Sequence, residues 1–462
     1  MADAIVFVMA GGKGSRLAPL TTHRAKPGTP FGGRYRIVDF VLSNFVNSGY
    51  QQIYLLTQYM ASSLIRHVNR HWPSAAYGAS IEVVPAQMRT GQRWYEGTAD
   101  AVFQNLNLVH DAHAEHVAVF GGDHIYLVNV DQMERHHRDT GADLTVATFP
   151  VPRDEARAFG VVEVDATGRI VGFEEKPADP KPVPGRPDTC LVSMGNYFFR
   201  ARVLNEVLRE DAADRDSAHD FGRNVIPKMV RAGCRVHAWD FGENRIPGDD
   251  ETPPYWRDVG TVESYFGANM ELRAPVPALN LYNRRWPIRG AHRHYPPARF
   301  VVQAGHAPPS AVDSLICEGT ILNSARVHGC VIGYDCFLHT DSFVSESVIL
   351  SGCDIGAGAR LHRVIADKNV SVAPGTTIGL DPESDRARFP FVSPGGIVVL
   401  PKGTHVPAEG PIELAQDMHA MLLNDPDTAA TMAARRDTYT LGRETRHSDD
   451  SVGPRFQKYG RG

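Results

Sequence analysis

IVFVMAGGKGSRLAPLTTHRAKPGTPFGGRYRIVDF, residues 5–40, is the stretch that decides the fold. Its apolar first part, residues 5–10, predicts a buried parallel strand. The strand runs into glycines that let backbone N–H groups approach a chain of phosphates closely: Gly11, Gly12 and Gly14. Arg16 and Lys26 add full positive charges. This stretch therefore predicts a loop that binds a polyphosphate.

Two better-known phosphate motifs do not match this loop. The P-loop motif ends in Gly-Lys-Ser/Thr, which is missing at that spacing, and the dinucleotide fingerprint needs a glycine where Leu17 stands. An ordinary turn between a strand and a helix would also use glycines. It would not need Arg16 and Lys26, so we favour the phosphate loop.

Length and composition predict a soluble globular protein. The 462 residues are enough for about three domains of roughly 150 residues each. The contents of apolar (42%) and charged (22%) residues are ordinary, and the net charge of −5 predicts binding neither to nucleic acid nor to a membrane. No run approaches the ~18 apolar residues of a membrane span, and the N-terminus lacks the regions of a signal peptide. We therefore expect a cytoplasmic protein.

Strand and helix patterns alternate along the first half of the chain. Residues 52–57 and 81–85 predict strands, and residues 38–47 and 99–108 predict helices. This alternation predicts an α/β domain with a mostly parallel sheet covered on both faces. Ligands of such sheets bind at the carboxyl ends of the strands.

Two aspartates are candidate metal ligands. Asp123 follows a short buried strand, residues 117–120, and Asp258 stands in a turn before a predicted helix, residues 262–272. Mg²⁺ is commonly held by one or two carboxylates together with substrate phosphates. An aspartate in a turn after a strand would look the same. Spacing alone does not bring Asp123 and Asp258 together.

The second half of the chain has a different residue pattern. From residue 312 to 378, apolar residues recur about every six positions and glycines recur between them. This period predicts a parallel β-helix, because antiparallel hairpins would need alternation and Asn-Gly turns, which are missing. We expect an α/β domain in residues 1–275, a linker in 276–311, the β-helix in 312–400 and a partly helical or disordered tail in 401–462.

A set of motifs in order along the chain resembles the bacterial glucose-1-phosphate adenylyltransferases. The most general motif, GGKGSRL, is shared by all sugar nucleotidyltransferases, whereas the others are more specific. They include RAKP, WYEGTADAV, GDHIY, FEEKP, SMGNY, HDFG and YWRDVGT. The resemblance covers roughly residues 4 to 380.

The resemblance implies an Mg²⁺-dependent enzyme that makes ADP-glucose and diphosphate from ATP and α-D-glucose 1-phosphate, the first committed step of glycogen biosynthesis. It also implies a GT-A-like nucleotidyltransferase domain, a left-handed β-helix, a homotetramer and control by small-molecule allosteric effectors. Nucleic acid and membranes are not expected partners.

Site residues carry over from the family by position. Arg16 and Lys26 would hold the triphosphate with the loop glycines, Asp123 and Asp258 would bind Mg²⁺, and Lys176 would hold the sugar phosphate. The catalytic set is thus Arg16, Lys26, Asp123 and Lys176. The substrate-binding set further contains Gly11, Gly12, Gly14, Gln87 at the adenine, Tyr95, Gly97, Gly122, Gly160, Glu175, Ser193 and Asp258. The allosteric set is His23, Arg24, Arg36, Gln58 and Trp94.

Two departures affect the regulation that the resemblance implies. His23 and Pro30 replace a lysine and a histidine that enteric members carry at effector positions, whereas Arg36 matches. The activator therefore stays open among fructose 1,6-bisphosphate, fructose 6-phosphate, pyruvate and other metabolites.

Three other functions compete with this interpretation. A sister enzyme with a different base or sugar would keep the same phosphate chemistry. A non-catalytic regulatory subunit would not need Arg16, Asp123 and Lys176 together. A β-helix acyltransferase would need a catalytic histidine in the solenoid, for which the candidates are His328, His339 and His362.

Overall fold

A computed structural model describes residues 4–87, 89, 94–249 and 252–442 of the chain. The first part is built on a nine-stranded sheet. Seven strands have the order β10-β9-β11-β6-β1-β4-β5, β8 pairs with β11, and β12 pairs with β8. The strands up to residue 258 are β1 Ala4–Met9, β2 Pro30–Phe31, β3 Tyr35–Arg36, β4 Gln52–Thr57, β5 Ser80–Pro85, β6 His116–Gly121, β7 His124–Tyr126, β8 Leu144–Pro152, β9 Gly160–Val164, β10 Ile170–Glu175, β11 Thr189–Arg200, β12 Val236–Asp240 and β13 Trp256–Asp258.

The parallel strands β5, β4, β1 and β6 form the part of this sheet that carries the glycine-rich loop. In β1, all residues but the last are buried, as expected for a central strand with both faces covered. The long strand β11 runs antiparallel to β6, β8 and β9. Since the carboxyl ends of β1, β4 and β6 meet at one edge, the segments that follow them lie side by side.

Helices cover both faces of the sheet and place apolar side chains into two buried clusters. They are α1 Ile37–Asn47, α2 Ser62–His71, α3 Ser74–Tyr77, α4 Thr98–Phe103, α5 Leu106–Asp111, α6 Val130–Asp139, α7 Ala201–Ala213, α8 Ile226–Arg231 and α9 Val262–Glu271. The single helix expected over residues 99–108 is wrong, because α4 and α5 are separate. Between them, the Asn105 side chain donates to the Ala101 carbonyl at 2.8 Å, a local bond that competes with the helical backbone.

The second part is a solenoid of three parallel sheets, which confirms the β-helix and is consistent with the left-handed form. One face holds β14 Arg299–Val301, β17 Ile321–Asn323, β20 Phe337–Leu338, β23 Asp354–Ile355, β26 Ser371–Val372, β29 His405–Val406, β30 Ile412–Leu414 and β31 Tyr439–Leu441. The second face holds β15 Ser310–Val312, β18 Arg326–His328, β21 Phe343–Ser345, β24 Arg360–His362 and β27 Thr377–Ile378. The third holds β16 Leu315–Ile316, β19 Val331–Ile332, β22 Val348–Ile349, β25 Val364–Ala366 and β28 Val398–Leu400.

The first and last coils extend beyond the expected limits of the β-helix. Strand β14 lies inside residues 276–311, which were expected to be a linker, and pairs in parallel with β17. Proline pairs just before β14 and β15 make these short strands difficult to recognise in the sequence. In the expected tail, β29 pairs with β26, and β30 then pairs antiparallel to β29. The exact division into domains stays a prediction.

The tail adds two helices to the last coil. These are α11 Gln416–Leu423 and α12 Pro426–Ala434, and they follow α10 Pro382–Arg388, which lies before the tail. The Arg435 side chain donates to the carbonyls of Arg386 and Phe389 at 3.0 and 2.9 Å, which ties the end of α12 to the end of α10. The described part of the tail is therefore packed against the solenoid, and residues 443–462 lie outside the described ranges.

One buried apolar cluster joins the two parts of the molecule. It contains Leu17 and Leu20 beside the glycine-rich loop, residues of the solenoid, and Met418 and Leu422 of α11. Within the described ranges, none of the helices combines the length and the apolar character needed to cross a bilayer.

Candidate active site

A cleft of about 680 Å³ opens at the carboxyl ends of β1, β4 and β6. This volume is in the range of ~300–1,000 Å³ that ligand sites usually have. Most of the predicted site residues line it: Gly11, Gly12, Gly14, Arg16, Lys26, Gln58, Tyr95, Gly97, Asp123, Gly160, Glu175, Lys176, Ser193 and Asp258.

The glycine-rich loop has a backbone that other residues would not adopt easily. Gly14 has φ +67°, and a Cβ atom there would lie 2.9 Å from the Lys26 Cβ. Its carbonyl accepts a hydrogen bond from the Thr21 hydroxyl at 3.0 Å. A side chain at position 14 would therefore be both strained and crowded.

Lys26 connects the two aspartates. Its ammonium donates to Asp123 Oδ2 at 3.1 Å and to Asp258 Oδ1 at 3.0 Å. The contact depends on the short ladder of β7 and β13, in which Asp258 pairs with His124, the neighbour of Asp123. Residues far apart in the sequence thus form one charged cluster.

Neighbouring charges keep Lys26 and Asp123 ionised. Burial would lower the pKa of Lys26, but the charges of Asp123 and Asp258 and their hydrogen bonds raise it above the ordinary value. Desolvation would likewise raise the pKa of Asp123, but His124 and Lys26 lower it to about 2. The Asp123 side chain nevertheless keeps 41% of its surface exposed to the cleft. Asp123 is therefore a carboxylate at neutral pH and is open to ligands.

The cluster fits a divalent cation that substrate phosphates help to hold. In the part of the chain that the structure describes, no three His, Cys, Asp or Glu side chains are placed to bind a metal by themselves. Asp123 and Asp258 supply two carboxylates, and Mg²⁺ often takes its remaining ligands from phosphates and water.

The opposite side of the cleft carries Glu175 and Lys176. The Lys176 ammonium lies 2.8 Å from Glu175 Oε1, and its side chain is 54% exposed. Lys176 has φ +50°, a strained conformation for a lysine that is typical of functional positions. A Cβ at Gly160 would lie 2.9 Å from Glu175 Oε2, so that glycine makes room for the carboxylate.

Gln58 lies in the cleft although it was expected in the allosteric set. Its side chain accepts from the Tyr95 N–H at 2.7 Å and donates to the Tyr95 carbonyl at 3.3 Å. Gln58 thereby holds the loop of Tyr95 against the end of β4.

Six expected residues do not line the cleft, and three of them are Gln87, Gly122 and Trp94. Gln87 is exposed and accepts from the Arg89 guanidinium at 3.3 Å. Gly122 packs its backbone on β1, where its N–H donates to the Met9 carbonyl at 3.0 Å. Trp94 is 55% exposed.

Of the remaining allosteric candidates, His23 and Arg24 lie at the junction with the solenoid, whereas Arg36 contacts α2. Arg24 donates to Asp367 at 3.0 Å, and both side chains are almost fully buried. His23 is close enough to Lys402, Arg24 and Asp417 for their charges to affect it, and desolvation followed by Lys402 and Arg24 lowers its pKa to about 4. Arg36 donates to the Ser63 carbonyl at 3.1 Å.

Sequence reasoning missed several residues of the cleft. His124 lies 3.8 Å from both Asp123 and Asp258, and Glu96, Asp220 and Phe221 line the wall. Each of them lies within one of the motifs that carry the family resemblance. A motif does not show, however, which of its side chains face the cleft.

Comparisons with known proteins agree with this geometry. Residues 5–274 match the family model described as nucleotidyl transferase, and residues 296–400 match the one described as GlmU-like, C-terminal hexapeptide. The glucose-1-phosphate adenylyltransferase of Thermus thermophilus is 49% identical over 410 residues, which cover 87% of this chain and 98% of that protein. Glucose-1-phosphate adenylyltransferase 1 of Vibrio vulnificus is 46% identical over 407 residues, or 88% of this chain and 100% of that protein.

Proposed function

This chain belongs to the glucose-1-phosphate adenylyltransferase family, and we propose that it makes ADP-glucose and diphosphate from ATP and α-D-glucose 1-phosphate. The observation that carries the proposal is the Lys26–Asp123–Asp258 cluster beside the glycine-rich loop and opposite Lys176. In this proposal, Lys26 supplies positive charge and the two aspartates supply carboxylates for a metal ion between the two phosphate groups. The product would serve glycogen synthesis.

The chemistry matches such a site. A phosphate oxygen of glucose 1-phosphate attacks the α-phosphorus of ATP in line, the bond from that phosphorus to the bridging oxygen breaks, and diphosphate leaves. The nucleophile is already an anion, so no general base has to remove a proton. Catalysis then consists of holding two anions in line and balancing their charge.

Different residues of this chain would hold the two substrates and balance their charge. The N–H groups around Gly11, Gly12 and Gly14 and the side chain of Arg16 would hold the triphosphate, and Lys26 would balance its charge. Lys176 would hold the sugar phosphate. Around the sugar, the proposed contacts are Tyr95, Gly97, Gly160, Glu175 and Ser193, whereas Gln87 would contact the adenine and Gly122 would support the loop.

A divalent metal ion is used by nucleotidyltransferases of this kind, and we propose Mg²⁺ held by Asp123 and Asp258. When bound, the ion stabilises charge on the phosphoryl oxygens and on the leaving group.

We also propose a homotetramer controlled by small-molecule effectors. Their signal would reach the cleft through His23, Arg24 and Arg36, with Gln58 and Trp94 next to the Tyr95 loop. The Arg24–Asp367 pair supports this proposal, because it links the glycine-rich segment to the solenoid.

The activity is tested by measuring diphosphate release with a panel of nucleoside triphosphates and sugar 1-phosphates in the presence of Mg²⁺. We expect ATP with glucose 1-phosphate to give the highest kcat/KM. A higher value with another base or sugar would favour the sister enzyme, and turnover with none of the pairs would favour a regulatory subunit.

The regulation is tested by repeating the assay with glycolytic intermediates, pyruvate and AMP. We expect at least one to change the rate several-fold. An unchanged rate with all of them would contradict the allosteric proposal but not the catalytic one.

A further inference from the structure

The Tyr95–Thr98 loop of the cleft rests on a residue that lies behind it. Tyr95, Glu96, Gly97 and Thr98 all line the cleft. A Cβ atom at Gly97 would lie 2.2 Å from the carbonyl oxygen of His219, so only glycine fits there. The loop therefore packs directly on the backbone of residue 219.

The backbone of His219 also caps the start of the helix that follows this loop. Its carbonyl accepts from the N–H groups of Ala99 at 2.8 Å and Asp100 at 3.3 Å, in the first turn of α4. N–H groups at this end of a helix have no partner within the helix. His219 has φ +52°, which is costly for any residue with a Cβ and points to a local requirement.

The side chain of His219 is held between two carboxylates. Nδ1 lies 2.9 Å from Oδ2 of Asp211. Asp211 is 4% exposed, and its Oδ1 accepts a hydrogen bond from the Ser217 hydroxyl at 2.7 Å. Because an ionised carboxylate only accepts hydrogen bonds, Nδ1 carries a hydrogen. The Nε2 atom lies 3.7 Å from Oε2 of Glu96, which is ion-pair distance and longer than a hydrogen bond, so a protonated ring pairs with both carboxylates.

The residues after His219 connect the loop to the sugar side of the cleft. Thr98 donates to Asp220 at 3.0 Å and accepts from the Phe221 N–H at 3.0 Å. A Cβ at Gly222 would lie 2.6 Å from Oε2 of Glu175, the neighbour of Lys176. The segment from 219 to 222 thus fixes the loop relative to Glu175.

We propose that His219 is a positioning residue for the sugar phosphate: held by Asp211, it fixes Glu96 and the Tyr95–Thr98 loop opposite Glu175 and Lys176. The inference rests on the proposed function, since it assigns a role in binding glucose 1-phosphate. His219 itself does not line the cleft and acts through Glu96 and the loop.

The variant His219→Asn tests the side chain without disturbing the backbone. Asparagine tolerates a positive φ better than most residues, but it is too short to reach Glu96. We expect the KM for glucose 1-phosphate to rise about tenfold, a change of ~1.4 kcal/mol, while kcat and the KM for ATP stay within about twofold. The matched control is His113→Asn, because His113 has φ +51° and is exposed outside the cleft. It should behave as the wild type.

A double-mutant cycle with Glu96→Gln then shows whether the two residues act as a unit. We expect His219→Asn/Glu96→Gln to raise the KM for glucose 1-phosphate no more than the larger single effect, because coupled residues are not additive. Asp211→Asn provides a second way to break the arrangement if His219→Asn proves unstable in thermal unfolding.

Three results would overturn the inference: an unchanged KM for glucose 1-phosphate, equal increases in both KM values, or additive effects in the double variant. The wild type and His113→Asn separate this inference from the proposed function. If they make no ADP-glucose, the proposed function fails and the inference falls with it. If they make ADP-glucose and the variants match them, only the role of His219 is wrong.

Discussion

The ammonium of Lys26 balances two carboxylates that would otherwise repel each other at the edge of the sheet. The sequence indicated Asp123 from its position after a strand, because strand ends are where such sheets bind ligands. It could not place Asp258 beside it. That contact depends on the antiparallel pairing of β7 with β13, a long-range pairing that no local pattern encodes. The sequence thus indicated individual candidate residues but not the contacts between them.

At the same scale, the sugar-phosphate role of Lys176 has a direct test. Lys176→Ala removes the exposed ammonium opposite the glycine-rich loop, so the KM for glucose 1-phosphate should rise by one to two orders of magnitude, with a smaller change in kcat. Steady-state kinetics with each substrate varied in turn provide the measurement. Lys181→Ala is the control, since Lys181 pairs with Glu163 and lies outside the cleft. An unchanged KM in Lys176→Ala would show that the lysine does not bind the sugar phosphate.

At the scale of elements, strongly periodic segments were predicted best. The six-residue period of the solenoid matches its stacked short strands because each coil repeats the same buried positions. The tail shows the opposite case. Strand β30 turns back along β29 and β31 joins β30, and these pairings have no repeat in the sequence. Both family models end by residue 400, so neither of them covers the tail.

Two adjacent leucines test whether helix α11 is a packed part of the fold. Leu422 is 1% exposed within the cluster that also holds Leu17, whereas Leu423 is 45% exposed. Leu422→Ala should destabilise the protein by about 2–5 kcal/mol through the lost contacts and the cavity. Leu423→Ala should change stability by less than about 0.5 kcal/mol. Chemical unfolding of the two variants gives the comparison. Equal unfolding midpoints would mean that α11 does not pack on the glycine-rich segment.

At the scale of the whole molecule, the two parts share one buried cluster and the buried Arg24–Asp367 ion pair. The patterns of the sequence predicted an α/β domain and a β-helix but not how they meet. The junction uses residues such as Arg24 that look like ordinary surface charges in the sequence. A charge buried with its partner is costly to separate, so the pair holds the glycine-rich segment against the solenoid.

Buried histidines make the stability of the whole molecule depend on pH. Desolvation, followed by the charges of His116 and Arg200, lowers the pKa of His137 from 6.5 to about 3. Between these values the unfolded chain binds a proton that the folded chain does not. The contribution of His137 to the free energy of unfolding is therefore complete above pH 6.5 and decreases as the pH drops towards 3. His137→Gln should reduce this slope by up to about 1.4 kcal/mol per pH unit. Urea unfolding at several pH values measures it, with the exposed His113→Gln as control; identical slopes in His137→Gln and the wild type would contradict the assignment.

The central claim is that adenylyl transfer takes place at the Lys26–Asp123–Asp258 cluster, and Asp123→Asn tests it most directly. The substitution keeps the shape of the side chain but removes the charge that pairs with Lys26 and that, in our proposal, holds the metal ion. Asp240→Asn is the matched control, because Asp240 also ends a parallel strand and caps a turn by accepting from the Gly242 N–H at 2.8 Å, outside the cleft. We predict that kcat for ADP-glucose synthesis at saturating ATP, glucose 1-phosphate and Mg²⁺ falls by about two orders of magnitude or more in Asp123→Asn, with an unchanged unfolding midpoint, and stays at the wild-type value in Asp240→Asn. A near-normal kcat in Asp123→Asn would contradict the account.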